Sequence, residues 1–110
     1  MYTDKQPAFD EQVPVQRPSA LIDVDSKRRY ELVPKDVISL GKDKDNDISL
    51  ENDPAAHGCH ALITFAVNNF WLEDLGTTCG TFLNDVRIEK PVMLSPGDSI
   101  LVGRTRFRIE

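Results

Sequence analysis

Phe70-Trp71-Leu72-Glu73-Asp74-Leu75-Gly76-Thr77-Thr78-Cys79-Gly80-Thr81-Phe82-Leu83 sets two short apolar runs on either side of a loop rich in glycine and threonine. Neither run has the length or spacing of an amphipathic helix, and both use residue types that suit a pleated, half-buried surface. The same style extends in both directions. Upstream lie Ala20-Leu21-Ile22-Asp23-Val24, Tyr30-Glu31-Leu32-Val33, Val37-Ile38-Ser39-Leu40, Asp47-Ile48-Ser49-Leu50 and Ala61-Leu62-Ile63-Thr64-Phe65. The last of these is joined to the Phe70 run by a tight hairpin expected at Asn68-Asn69. Downstream, an Asn84-Asp85 turn leads to Val86-Arg87-Ile88, followed by Val92-Met93-Leu94. A Ser95-Pro96-Gly97-Asp98 turn then leads to Ile100-Leu101-Val102 and to Arg106-Phe107-Arg108-Ile109, whose alternation turns Phe107 and Ile109 inward. Many short strands with turn chemistry between them predict an all-β sandwich. Segments 52–59 and 76–80 are the long non-strand stretches, and a scaffold that fixes their ends leaves such loops free to carry function.

The chain has 110 residues, enough for one domain with a modest core, and 40% of them are hydrophobic. Residues 1–18 carry Pro7, Pro14 and Pro18 among acidic and amide side chains, so a flexible leader or linker is expected there and a folded domain over 19–110. A formal net charge of −5 speaks against a dedicated nucleic-acid or membrane-surface protein, since those carry a basic excess that neutralises phosphates. The local groups Lys27-Arg28-Arg29 and Arg104, Arg106 and Arg108 read as solvated faces. No run approaches the roughly 18 apolar residues that span a bilayer, and Met1 is not followed by a basic-then-apolar signal segment. The domain therefore reads as cytoplasmic, alone or as part of a longer protein. Cys59 and Cys79 are too few for a secreted disulfide framework, and free thiols are expected.

Six landmarks follow one another along the chain: Gly41-Lys42, Asp47-Ile48, His60-Ala61, the loop from Asp74 to Thr81, Pro96-Gly97-Asp98 and Val102-Gly103. This series resembles a forkhead-associated (FHA) domain over about residues 20–110. The resemblance implies an FHA-like β-sandwich of about 11 short, mostly antiparallel strands in two sheets, with loops at one end that grip a phosphothreonine peptide. It implies a protein-interaction module that recognises a threonine-phosphorylated partner in signalling or assembly. The alternative is a degenerate module that binds an unmodified surface, or itself, independently of phosphate.

Carried onto this chain, the resemblance assigns phosphopeptide binding to Lys42, His57, Gly58, Thr77, Thr78 and Cys79, and support of the loops to Gly41, His60, Gly76 and Gly80. Several of these depart from the family pattern. Lys42 stands where arginine is usual and replaces a planar fork by a point donor. His57 stands at a serine position, where imidazole donates one hydrogen bond when neutral and two when protonated. Gly58 follows where a polar or basic residue is usual. Cys79 takes the place of an asparagine that binds the peptide main chain, and a thiol is a weak donor and acceptor. Thr78 keeps a hydroxyl that can donate to phosphate.

Other chemistries fit poorly. Asp43, Asp45 and Asp47 have the alternate spacing that opens a calcium loop, but Ile48 stands where glycine is needed and Pro54 where the bidentate glutamate belongs. A zinc set of His57, Cys59, His60 and Cys79 meets the objection that adjacent Cys59 and His60 point to opposite faces when extended. A cysteine nucleophile meets the same objection, and no paired-carboxylate, phosphate-loop or dinucleotide signature is present. No enzyme activity, metal or cofactor is expected. Cys59 is expected to be partly buried beside His60, with Cys79 more accessible, and Phe70 and Trp71 to pack in or against the sandwich.

Overall fold

Among the residues that the computed structural model describes, 17–34 and 37–110, the chain forms eleven strands. They are β1 (Ala20–Asp23), β2 (Arg29–Glu31), β3 (Val37–Gly41), β4 (Ile48–Ser49), β5 (Ala61–Ala66), β6 (Asn69–Asp74), β7 (Thr81–Leu83), β8 (Val86–Arg87), β9 (Val92–Met93), β10 (Ser99–Val102) and β11 (Thr105–Ile109). One sheet has the order β2-β1-β11-β10-β7-β8 and the other β4-β3-β5-β6-β9. The β3–β4 pair is parallel, and the other pairs whose register is defined are antiparallel. The expected all-β sandwich of about 11 short, mostly antiparallel strands in two sheets is therefore the fold observed. No helix among the described residues is long and apolar enough to cross a membrane.

Alternation along the strands builds the core. Ile38 and Leu40 of β3, Ala61 and Ile63 of β5, and Phe70 and Leu72 of β6 point inward from one sheet. Leu21 of β1, Ile100 and Val102 of β10, and Phe107 and Ile109 of β11 meet them from the other. Full burial of each larger side chain contributes about 1.5–3 kcal/mol, which offsets the ordering of such short strands. Trp71 has the opposite orientation to Phe70 and lies partly exposed against the outer sheet face, its indole N–H donating to the Ala66 carbonyl at 2.9 Å. Of the leader expected over 1–18, residues 1–16 lie outside the described residues. Arg17 donates to the Asn68 side-chain carbonyl at 2.6 Å and stands over the Phe65 ring, and Pro18 is buried.

The β5–β6 hairpin departs from the expected Asn68-Asn69 turn. Ala66 pairs with Asn69, and the turn residues are Val67 (φ 49°) and Asn68 (φ 62°), both left-handed as a two-residue type I′ turn requires. The register decides this. It sets Ile63 opposite Leu72 and Phe65 opposite Phe70, with the two rings 5.0 Å apart, whereas a turn one residue later would slide β6 and place Phe70 against Val67. The Asn84-Asp85 turn is where it was expected, with φ of 51° and 69°.

Pairing of Leu40 with Ala61, Ala61 with Asp74 and Val102 with Thr81 brings the ends of β3, β5, β6, β7 and β10 together. The 42–47, 50–60 and 75–80 loops therefore leave the sandwich at the same end. Asp53 anchors the middle one: its carboxylate accepts from the Ala55 N–H (2.9 Å), the Arg104 N–H (2.8 Å) and the Thr105 hydroxyl (2.6 Å).

A β-branched residue in the left-handed region carries a penalty of about 1–2 kcal/mol. Replacing Val67-Asn68 by Asn-Gly is expected to stabilise the protein by about 1 kcal/mol and raise its thermal midpoint by several degrees. A lowered midpoint in differential scanning calorimetry would contradict this turn geometry.

Candidate functional site

His60, just before β5, is fully buried, so both ring nitrogens need partners. Nδ1 accepts the His57 N–H at 3.1 Å, and Nε2 lies 3.0 Å from the Gly80 carbonyl oxygen and 3.4 Å from the Thr77 hydroxyl. A peptide N–H can only donate, so the proton sits on Nε2 and is given to Gly80. The His60 backbone N–H donates to Leu40 and its carbonyl accepts from Leu75. One residue thus fastens the 50–60 loop, the 75–80 loop and β3 to each other.

Asp74, at the end of β6, shapes the 75–80 loop from within. Its Oδ1 accepts the Thr77 and Thr81 hydroxyls, each at 2.7 Å, and its Oδ2 accepts the Thr77 N–H at 2.9 Å. Burial acts to raise its pKa, but the hydroxyls of Thr81 and Thr77, the Thr77 N–H and nearby His60 outweigh that and hold it below the ordinary carboxylate value. Asp53 is lowered in the same way: burial opposes the shift, and hydrogen bonds from Thr105, Arg104 and Ala55 prevail. The Asp74-x-x-Thr77 spacing, that of a side chain capping an N–H three residues on, is the sequence signal for this arrangement.

Thr77, assigned to ligand contact by the resemblance, turns its side chain into the loop. Only 5% exposed, it donates its hydroxyl to Asp74 and accepts the Gly80 N–H at 2.9 Å, so its side chain is committed to the loop. Thr78 and Cys79 beside it are exposed. Gly76 and Gly80 both take positive φ, 75° and 85°, which gives the loop its tight path. Arg87 of β8, which sequence patterning does not single out, packs its guanidinium against Gly80 and donates to the Thr77 and Thr78 carbonyls at 3.3 Å each. That contact crosses from a neighbouring strand, so local sequence carries no sign of it.

Opposite this loop, the Lys42 N–H donates to the His57 carbonyl at 2.8 Å and the Asp43 N–H to the Gly58 carbonyl at 3.1 Å. Gly41 makes the approach possible: a Cβ there would run into the Gly58 carbonyl oxygen and lie 2.8 Å from Cys59 Cα. The Asn46 side-chain amide adds a 2.6 Å bond to the Gly58 carbonyl. Lys42 and His57 project as exposed side chains, with the His57 ring edge-to-face on His60. Lys42, His57, Gly58, Thr78 and Cys79 therefore sit on three fastened loops at one end. Cys59, expected to be partly buried, is exposed, because its neighbour His60 takes the inward position. Among the described residues no group of three or more His, Cys, Asp or Glu side chains is placed to hold a metal.

Loops from three separate segments are thus fastened to one another at one solvent-facing end of a β-sandwich. The chain belongs to the FHA domain family, whose model matches residues 38–103. A Mycobacterium tuberculosis relative, the FHA domain-containing protein FhaB, is 26% identical over 72 residues, which cover 66% of this chain and 46% of that protein. Among solved structures, Mycobacterium tuberculosis EmbR in complex with a low affinity phosphopeptide superposes with a TM-score of 0.78 at 29% identity, over 86% of this chain and 24% of that one. A structure described as part of a structural and functional study of phosphothreonine-dependent FHA domain interactions gives 0.76 at 26% identity, over 83% of this chain and 93% of that one. The chain thus spans about half the length of the curated relative it matches.

Because the pKa of Asp74 is depressed in the fold, its charge stabilises fully above the unfolded-state value and that contribution is lost as pH falls through the folded one. Asp74→Asn is expected to lower stability at neutral pH by about 1–3 kcal/mol, since an amide N–H₂ would face donors. Its urea-derived stability should also fall less steeply toward acid than that of the wild type, with Asp53 supplying the remaining slope. Parallel acid limbs for the two proteins would contradict the assignment.

Proposed function

We propose that this domain binds a partner-protein segment carrying phosphothreonine, at the end of the sandwich where Lys42, His57, Gly58, Thr78 and Cys79 come together, and so serves signalling or assembly. One observation carries this reading: the Lys42 ammonium and the Thr78 hydroxyl are exposed donors with no partner among the described residues, on loops that His60 holds in place. A phosphate with nearly two negative charges needs several donors fixed at once. The likeness to a domain solved with a phosphopeptide supports the same reading. Thr77 contributes by shaping the loop, not by touching the ligand.

The departures set the strength of binding. Lys42 supplies charge without a bidentate fork, and Cys79 supplies a poor clamp for the peptide main chain. Affinity is therefore modest. The module binds and does not catalyse, and a reducing cytosolic setting suits its two exposed thiols, Cys59 and Cys79. The same departures at His57, Gly58 and Cys79 favour, as a second reading, a surface that takes an unmodified partner or a second copy.

Calorimetric titration of the chain with matched phosphothreonine, phosphoserine and unmodified peptide libraries separates the two. Binding is expected for phosphothreonine alone, with Lys42→Ala weakening it at least about tenfold and the pair Lys42→Arg, Cys79→Asn strengthening it by a similar factor. Equal affinity for phosphorylated and unmodified peptides would replace the first reading by the second.

A further inference from the structure

We propose that Asp43 is a specificity determinant of this site, selecting ligands that carry a lysine or arginine close to the phosphothreonine. The inference rests on the phosphothreonine reading and names the ligand class more narrowly. Residues 42–43 and 57–58 run side by side through the Lys42–His57 and Asp43–Gly58 hydrogen bonds. Beside them the Asp43 carboxylate leans over Gly58: a Cβ at position 58 would lie 2.6 Å from Oδ2, 3.1 Å from Cγ and 3.2 Å from Oδ1. The space left by the missing side chain is filled by an anion. That carboxylate is exposed and has no hydrogen-bond or ion-pair partner among the described residues.

A negative charge without a partner among the described residues therefore follows Lys42 directly in the chain, on the same paired segment. Like charges repel, so a phosphate drawn to these paired segments meets opposition from Asp43 unless the ligand brings its own cation. A guanidinium or ammonium on the ligand, seated against Asp43, turns the repulsion into attraction, and a ligand glutamate adds to it. Because the groups face water, the consequence is a several-fold preference between ligands that shrinks with added salt.

The experiment is fluorescence anisotropy of the full chain with labelled phosphothreonine peptides bearing Arg, Ala or Glu at each of the three positions on either side of the phosphoresidue. The wild type is expected to favour Arg over Glu by about fivefold or more at one or more positions. Asp43→Asn should cut that ratio at least about threefold at the same positions, chiefly by improving the Glu peptides. Gly58→Ala, whose methyl displaces the carboxylate without removing it, should lower the ratio in the same direction, so the inference does not depend on one variant folding. Phosphate-dependent binding with the Arg-to-Glu ratio unchanged in both variants overturns the inference alone. Absence of phosphate-dependent binding to any peptide overturns the reading beneath it and this inference together.

Discussion

A buried imidazole must have both nitrogens paired, and leaving one unpaired costs about 1–3 kcal/mol. His60 meets that demand in one arrangement: the His57 N–H on Nδ1 and the Gly80 carbonyl on Nε2, with its own backbone pinned to Leu40 and Leu75. Two loops far apart in sequence are thereby held at fixed spacing on top of β3 and β5. The sandwich below supplies the platform, but the shape of its functional end depends on this one ring.

Around it, the polar side chains divide into those that build the loops and those that are left over. Asp53 and Asp74 each gather three hydrogen bonds from the chain and hold depressed pKa values because those bonds favour the charged form. Thr77, Thr81, Asn46 and Arg87 are spent in the same way on backbone and side-chain partners. Lys42, Asp43, His57, Thr78 and Cys79 are exposed, and among the described residues none of them joins that internal network through its polar side-chain atoms. A hydrogen-bonded base beneath exposed side chains suits recognition, since ordering loops in advance reduces the entropy lost on binding.

Much of the scaffold was legible from local pattern. Inward alternation at Phe107 and Ile109, the short apolar runs and the Asn84-Asp85 turn are all decided by neighbours a few residues away. The hairpin turn at Val67-Asn68 was not, because cross-strand pairing of Phe65 with Phe70 overrides the turn preference of asparagine. At the end where the loops meet, the resemblance named Lys42, His57 and Thr78, and these side chains are exposed. The inward rotation of Thr77 was not legible, since it follows from the meeting of Asp74, Gly80 and His60 in three dimensions. Arg87 over Gly80, and Asp43 over Gly58, are likewise contacts between separate segments, invisible until the chain is folded.

Chemical-shift mapping of the ¹⁵N-labelled chain during addition of a phosphothreonine peptide tests most directly where a partner is held. The largest changes should fall on the amides of Lys42, Asp43, His57, Gly58, Thr78 and Cys79, with smaller ones relayed through His60 to Leu75 and Gly80. The β5–β6 hairpin and the Trp71 indole on the outer sheet face should stay in place. Changes concentrated at Val67, Trp71 and Met93, with the loop end silent, would contradict the account.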